Sequence, residues 1–233
     1  MRKWYSYVMQ EKIDFFLLTA HELRTSLSAM KWLFKMLADG DYGALNDEQR
    51  AAITQAMQAN DRMVATLNNT ILAVKDTDAI TYTHLPVQLD RLLSEITNEF
   101  GSEAIEKHIT LTYHAPAAPI TIIGDESKLR MAFHNVIENA LKYSNGDTEI
   151  IVSLSTDDRT ATVHIQDHGI GIQADQLPHV FEKFFRGANH IESGTGLGLY
   201  GTKLIIERQG GTITIESQEA VGTTVTISLP LQG

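Results

Sequence analysis

Apolar residues recur at alternating spacings of four and three in two stretches near the start of the chain. This spacing predicts a first helix from near residue 8 to Ala38. A turn at residues 39–43 ends it. Asn46 then forms an N-cap for a second helix, with Gln49 in the capping-box position. The seam positions are Phe16, Ala20, Leu23, Leu27, Met30, Phe34 and Leu37 in the first helix, and Ile53, Met57, Asn60, Val64, Leu67, Ile71 and Val74 in the second.

Two antiparallel helices with matched seams form a helical hairpin. A single hairpin cannot cover both of its apolar stripes, so two copies are expected to pair into a dimeric four-helix bundle. Asn60 is the polar exception on the second seam. It either fixes the register of the bundle or is an imperfection of the pattern, and we favour the first interpretation.

The pattern changes at Asp76-Thr77-Asp78, after which short strands with period two alternate with helices of period 3.6. We therefore predict a helical domain at residues 1–78 and an α/β domain at residues 79–233. Helices are predicted at residues 89–107, 125–143, 175–181 and 196–209, with Asp125 capping the second. Strands are predicted at residues 84–87, 109–113, 120–123, 149–155, 160–166, 212–217 and 223–229. The predicted class is α+β, a hairpin followed by a two-layer α/β sandwich.

Composition narrows the range of partners. The 233 residues carry a net charge of −10, which disfavours nucleic acid because phosphate backbones require basic patches. There is no cysteine, so disulfides, thiolate zinc sites and catalytic thiols are excluded. No run of about 18 apolar residues could span a bilayer. We expect a cytoplasmic protein without a membrane segment in this chain. The uncapped start of the first helix also fits the cytoplasmic part of a membrane-bound sensor.

His21 is the first candidate for chemistry. It lies next to the seam and not on it, and Glu22 follows it. A neutral imidazole can attack phosphorus through one ring nitrogen while a neighbouring carboxylate takes the proton from the other. Thr25 lies one turn further on the same face. Taken alone, these residues are better explained by a solvated helix face, because a His-Glu pair on a helix is common.

The helix at residues 125–143 carries two amides four residues apart, Asn135 and Asn139, followed by Lys142 and Tyr143. Amides at this spacing emerge on one face of a helix. Their oxygens are hard neutral ligands that suit Mg²⁺, which usually keeps phosphate oxygens and water as its other ligands. Two surface asparagines are the competing interpretation.

Asp167-His168-Gly169-Ile170-Gly171 follows a predicted strand. A carboxylate at that point can accept a hydrogen bond from an adenine amino group, and the glycines let the backbone turn closely around the ring. A plain Asp-x-Gly turn would have the same sequence.

A third motif, Gly194-Thr195-Gly196-Leu197-Gly198, opens the helix at residues 196–209. Backbone N–H groups at such a start bind phosphate, although a glycine-rich cap explains the motif almost as well. The preceding stretch, residues 181–187, includes Phe184 and Arg186. Its phenylalanines are either core residues or an aromatic hinge for a nucleotide lid.

In the order and content of all these motifs, from residue 15 to residue 231, the chain resembles the two-component sensor histidine kinases. The resemblance implies a dimerisation and phosphoacceptor hairpin followed by a catalytic domain that binds ATP and Mg²⁺. His21 would be the phosphoacceptor, Glu22 its acid/base partner, and Thr25 would position water for the reverse, phosphatase reaction. The implied partners are a second copy and a response-regulator receiver domain, whose aspartate takes the phosphoryl group.

The resemblance also assigns the nucleotide site. Asn139, helped by Asn135, would hold Mg²⁺, and Asp167 would bind adenine. The implied ATP-binding residues are Asn135, Asn139, Lys142, Tyr143, Asp167, Gly169, Gly171, Phe184, Arg186, Gly194, Thr195, Gly196, Leu197 and Gly198.

Some positions depart from the family pattern. Ser26 replaces the usual proline after His21-Glu22-Leu23-Arg24-Thr25, so the helix is expected to be straighter there. Tyr200-Gly201 replaces a small apolar pair.

One alternative to a histidine kinase is an ATPase of the same fold, which Asn135 disfavours because such ATPases carry a water-activating Glu at that position. The other is a non-catalytic signalling module, which only the departures support.

Overall fold

The computed structural model describes residues 2–74, 82–187 and 195–231; at residues 2–18, 21, 62, 65, 69 and 72–74 it describes the backbone alone. The chain divides into two compact units, Met1–Ile80 and Thr81–Gly233. In the part of the chain that is described, no helix combines the length and apolarity needed to cross a membrane.

The first unit is a helical hairpin, as predicted. Helix α1 spans Arg2–Asp39 and begins earlier than residue 8, because the preceding residues include no glycine or proline that would stop it. Helix α2 spans Asp47–Val74. The capping box is confirmed, since the Asn46 N–H donates to Gln49 Oε1 (3.0 Å) and the Gln49 N–H donates to Asn46 Oδ1 (2.8 Å).

The two seams meet only in part within one hairpin. Ala20 and Leu27 are buried between the helices, whereas Leu23 and Met30 stay exposed. Asn60 is buried, and neither atom of its amide finds a hydrogen-bond partner among the described residues. Exposed seam positions beside a buried, unpaired amide indicate that the hairpin alone does not satisfy its own apolar and polar groups.

The second unit is a two-layer α/β sandwich, which confirms the predicted class. Its helices are α3 (Leu89–Glu99), α4 (Gly101–Glu106), α5 (Glu126–Tyr143) and α6 (Gly198–Arg208). Its strands are β1 (Leu85–Gln88), β2 (Thr110–His114), β3 (Thr121–Gly124), β4 (Glu149–Thr156), β5 (Thr160–Asp167), β6 (Thr212–Gln218) and β7 (Gly222–Pro230).

Five strands form the main sheet in the order β2-β4-β5-β7-β6, with β2 and β4 parallel and the other pairs antiparallel. Strands β1 and β3 pair in a separate two-stranded sheet. The core lies between the main sheet and α3, α5 and α6, because alternate residues of β4, β5 and β7 are buried on one face. Strand β5 ends at Asp167 on this buried face.

The prediction of one helix at residues 89–107 is wrong. The helix is interrupted at Phe100, between α3 and α4, because the next residue is Gly101, a poor helix former. The break turns the Phe100 ring inward, with its centroid 4.5 Å from that of His134 on α5. The predicted helix at residues 175–181 is only a single 3₁₀ turn, Leu177–His179, which contains a proline.

Candidate functional site

The candidate phosphoacceptor lies in the middle of a continuous helix. His21 belongs to α1, where only its backbone is described, and Glu22 and Thr25 are exposed on the same helix. The Ser26 hydroxyl donates to the Glu22 carbonyl at 3.1 Å. Ser26 therefore supplies this carbonyl with a hydrogen bond, whereas the proline of the family pattern would leave it without its helical partner.

The two predicted amides of α5 have different surroundings. Asn135 Nδ2 donates to Thr202 Oγ1 on α6 at 2.9 Å. A Cβ at Gly198 would lie 2.3 Å from Asn135 Oδ1, so the start of α6 rests directly on this amide. The side chain of Asn139 makes no hydrogen bond to the described residues and remains available to a ligand.

The loop after β5 packs onto the end of α5. The Tyr143 carbonyl accepts a hydrogen bond from the Ile170 N–H at 3.0 Å. A Cβ at Gly169 would lie only 2.2 Å from the same oxygen, so this approach requires glycine. The Lys142 ammonium lies 5.2 Å from the centroid of the Tyr143 ring, which is partly exposed. The first two nucleotide motifs are therefore in contact.

Asp167 is buried, and its carboxylate is held in place by backbone hydrogen bonds. Its Oδ1 accepts hydrogen bonds from the Gly169 N–H (2.9 Å) and the Thr223 N–H (3.2 Å). Burial raises the pKa of the Asp167 carboxyl, and these two N–H groups act in the opposite direction. Its Oδ2 accepts no hydrogen bond from the described residues. A buried acceptor of this kind suits a ligand that brings its own N–H donor.

Gly171 closes the same loop against the β6–β7 turn. It has a positive φ of 65°, and a Cβ there would lie 2.0 Å from the Gln218 carbonyl oxygen. The Ala220 N–H donates to the Ile170 carbonyl at 2.8 Å. Both predicted glycines of this motif are therefore required by close backbone contacts.

The phenylalanine segment and the glycine motif meet at their backbones. The Phe184 N–H donates to the Gly196 carbonyl at 3.0 Å, and both residues have positive φ, 65° and 68°. Phe184 itself is exposed. A Cβ at Gly196 would lie 2.6 Å from the Phe184 carbonyl carbon. This contact holds together the two ends of the segment between them, of which residues 188–194 lie outside the described part.

The remaining predicted site residues lie around this contact. Arg186 and Thr195 are exposed, whereas the Leu197 side chain is buried and leaves only its backbone for a nucleotide. Gly194 lies outside the described residues.

Several contacts of the site were not predicted from the sequence. The Lys183 ammonium lies 5.0 Å from the Tyr200 ring centroid, which gives this departure from the family pattern a partner. Thr202 accepts a hydrogen bond from Asn135, and the Thr223 N–H donates one to Asp167. A Cβ at Gly222 would lie 2.1 Å from the Asp167 carbonyl oxygen. The only signal in the sequence for the contacts of Gly222 and Thr223 with Asp167 was the Gly-Thr pair itself at the start of β7.

The donors present fit Mg²⁺ that reaches the protein with a nucleotide. Among the described residues, no group of three or more His, Cys, Asp or Glu side chains could hold a metal ion. The unpaired amide of Asn139 is a hard neutral donor that would complete a shell otherwise made of phosphate oxygens and water.

Comparison with known families matches both units. The family described as "His Kinase A (phospho-acceptor) domain" matches residues 11–78, and the family described as "Histidine kinase-, DNA gyrase B-, and HSP90-like ATPase" matches residues 124–233. The first match includes α2 and the candidate phosphoacceptor His21. The second includes every candidate nucleotide-binding residue.

Whole-chain relatives agree with both matches. The chain is 29% identical over 231 residues to the signal transduction histidine-protein kinase BaeS of Escherichia coli, covering 96% of this chain and 48% of the relative. It is 30% identical over 233 residues to the sensor protein kinase WalK of Staphylococcus aureus, covering 97% and 55%. The chain thus spans about half the length of these relatives.

Solved structures show the same fold. Full-length ShkA in complex with AMPPNP matches with a TM-score of 0.68 at 22% identity, covering 94% of this chain and 46% of that one. The mycobacterial sensor histidine kinase MprB matches with a TM-score of 0.55 at 29% identity, covering 64% and 97%.

Proposed function

The chain belongs to the two-component sensor histidine kinases, and we propose that it transfers the γ-phosphoryl group of ATP to His21 and from there to an aspartate of a response-regulator receiver domain. In this proposal residues 1–78 form the dimerisation and phosphoacceptor domain of a homodimer, and residues 79–233 form the catalytic domain. The reaction takes place in the cytoplasm.

Asp167 carries the proposal for the nucleotide. Its Oδ1 is held by two backbone N–H groups, while Oδ2 accepts nothing from the described residues. The adenine amino group would donate to Oδ2, in a pocket bounded by Gly169 and Gly171. Lys142, Tyr143 and the start of α6 would contact the phosphates, since N–H groups at a helix start favour anions.

Asn139 would hold Mg²⁺. Asn135 would support it indirectly, because its amide already joins α5 to α6. The bound metal would neutralise charge on the phosphates. Residues 184–187 and 195–198 would border the triphosphate, with Phe184 and Gly196 holding the two ends of this border together.

His21 and Glu22 carry the bond changes of the transfer. One imidazole nitrogen forms a bond to the γ-phosphorus as the bond from that phosphorus to the bridging oxygen breaks, and ADP leaves. Glu22 takes the proton from the other nitrogen. In the phosphatase reaction, Thr25 would position the water that attacks the aspartyl phosphate of the regulator, which releases inorganic phosphate and the free carboxylate.

Two other functions remain as alternatives. An ATPase of the same fold would need a base that activates water where Asn135 stands, and the amide of Asn135 instead donates to Thr202. A non-catalytic signalling module would bind nucleotide without transferring phosphate.

Labelling with γ-labelled ATP and Mg²⁺ tests the proposal. His21 is the only one of nine histidines that lies before residue 84, so His21→Ala isolates the candidate acceptor, and His114→Ala on the edge strand β2 is the matched control. We expect acid-labile label on the parent and on the control but not on His21→Ala. A parent that binds ATP and stays unlabelled, or a His21→Ala variant that keeps its label, would contradict the proposal.

A further inference from the structure

The chain enters the second unit at a polar cluster that the proposed reaction does not use. The Thr83 N–H donates to Asp125 Oδ2 at 3.1 Å. Asp125 is buried, and its Oδ1 accepts from the Lys128 N–H (3.0 Å) and the Ser127 hydroxyl (2.7 Å). A single carboxylate therefore joins the incoming chain to the first turn of α5.

Gln209, the residue after α6, hydrogen-bonds the backbone of Asp125. Its Oε1 accepts from the Asp125 N–H (3.2 Å), and its Nε2 donates to the Asp125 carbonyl (3.4 Å). The side chain is buried, and a Cβ at Gly124 would lie 2.6 Å from Oε1. Both backbone polar groups of Asp125 are thus held by one amide. We call Thr83, Asp125 and Gln209 the anchor cluster.

The residue before Thr83 is also packed against the second unit. Tyr82 is partly buried, and its hydroxyl is buried without a hydrogen-bond partner among the described residues. Burial raises the pKa of the Tyr82 hydroxyl, while Arg208 lowers it and Asp125 raises it to a smaller extent. The chain is therefore held at two successive residues, and residues 75–81 before them lie outside the described part.

The anchor cluster is remote from the nucleotide site but rigidly connected to it. Asp125 precedes α5, which rises about 1.5 Å per residue, so Asn139 lies about 20 Å further along that helix. Gln209 follows α6, whose first residue Gly198 rests on Asn135. The bond from Asn135 to Thr202 ties the two helices between these ends.

We propose that the anchor cluster positions the catalytic domain for phosphoryl transfer, by fixing the point at which the preceding chain is attached to it. This inference rests on the proposed function. If the cluster releases the chain, residues 82 and 83 join the connection to the hairpin and lengthen it by up to about 7 Å. A longer tether lowers the effective concentration of bound ATP near His21 and loosens its orientation.

The change acts on transfer and not on binding, because none of the three residues belongs to the nucleotide site. Two variants of the full chain weaken the cluster in independent ways. Thr83→Pro removes the N–H donor, together with the Thr83 hydroxyl that also hydrogen-bonds the Asp125 carboxylate, and changes no residue of α5 or α6. Asp125→Asn has one oxygen where two are needed, so either Thr83 or the first turn of α5 loses its acceptor.

Each variant has a matched control. His84→Pro places proline one residue further on, outside this hydrogen bond. Asp90→Asn changes a similar carboxylate, which accepts from the Ile120 N–H at 2.9 Å in the first turn of α3. For all four variants and the parent we would measure the equilibrium dissociation constant of a fluorescent ATP analogue and the single-turnover rate of labelling at saturating ATP.

We expect Thr83→Pro and Asp125→Asn to label about tenfold more slowly at saturating ATP, with dissociation constants within about twofold of the parent, a shift of only about 0.4 kcal/mol. His84→Pro and Asp90→Asn should match the parent in both. Equal rates in variants and controls would overturn the inference. So would a parallel loss of ATP affinity in both cluster variants, because the cluster would then act on the binding site. An unlabelled parent would instead overturn the proposed function, and this inference with it.

Discussion

Asn135 on α5 donates a hydrogen bond to Thr202 on α6 across 2.9 Å. Thr202 is buried, and the Asn135 amide also supports the first residue of α6. One side chain therefore joins the helix that carries the candidate metal ligand Asn139 to the helix whose start we propose to contact the phosphates. Three predictions about the nucleotide site and one about the hairpin follow from such contacts.

Thr202→Val should destabilise the second unit and weaken ATP binding. Valine has the shape of threonine but cannot accept the Asn135 hydrogen bond, and an unpaired, half-buried donor costs about 1–3 kcal/mol. Urea denaturation and the dissociation constant of an ATP analogue measure the two effects. Thr202→Ser keeps the hydroxyl and serves as the control. Equal behaviour of the two variants would show that the hydrogen bond contributes nothing.

Gly198→Ala should weaken ATP binding by about tenfold, because the added Cβ would lie 2.3 Å from Asn135 Oδ1 and displace either the amide or the start of α6. Gly101→Ala is the matched control: it also lies in the first turn of a helix, and a Cβ there meets no atom within 4 Å. The control should keep ATP affinity and gain up to about 1 kcal/mol of stability. Titration calorimetry compares the two. Unchanged affinity in Gly198→Ala would show that the contact does not shape the site.

Asp167 should make the ligand-free protein less stable as pH rises. Burial raises the pKa of its carboxyl above the unfolded value of about 3.9, so the folded state binds the proton more tightly than the unfolded state. This contribution to stability is fully present below pH of about 3.9 and is lost as pH rises through the folded pKa.

Asp167→Asn removes that titration while keeping an oxygen for the Gly169 and Thr223 N–H groups. Relative to the parent, the variant should therefore gain stability as pH rises above about 3.9, the ordinary Asp pKa, as measured by urea midpoints at each pH. It should also lose ATP affinity at pH 7, because an amide N–H₂ would then oppose the adenine amino group or displace one of the two N–H donors. A stability difference that does not change with pH would contradict the pKa shift.

Asn60→Leu should stabilise the hairpin. Both atoms of the Asn60 amide are buried without a partner among the described residues, and such groups cost about 1–3 kcal/mol. Thermal unfolding at one fixed protomer concentration measures the gain. Asn68→Leu on the same helix is the control, because Asn68 accepts a hydrogen bond from Arg24 at 2.8 Å and its loss should not stabilise. A destabilised Asn60→Leu would contradict this prediction. A stabilised variant that no longer forms a single dimer would support the interpretation that Asn60 fixes the register of the bundle, because a polar seam residue does so at a cost in stability.

The sequence by itself determined the class and most elements of this fold. Helical and strand periods are local properties, so the hairpin, its capping box at Asn46, the N-cap Asp125 and the strands of the main sheet follow from neighbouring residues. The order of the motifs was enough to identify the family. The prediction failed at Phe100, where Gly101 weakens the helix and the Phe100 ring packs against His134 on α5 instead of continuing the periodic pattern.

Only the tertiary structure decided the partners of the site residues. Asn135 and Thr202 are 67 positions apart, and Asp125 and Gln209 are 84 apart. No local spacing encodes such pairs, because they form only when α6 packs beside α5. The sequence placed Asn135 and Asn139 on one face of α5 and predicted that both would serve the metal, with Asn135 as the helper. The packing of α6 against one of them gives Asn135 a structural partner and leaves Asn139 for a ligand.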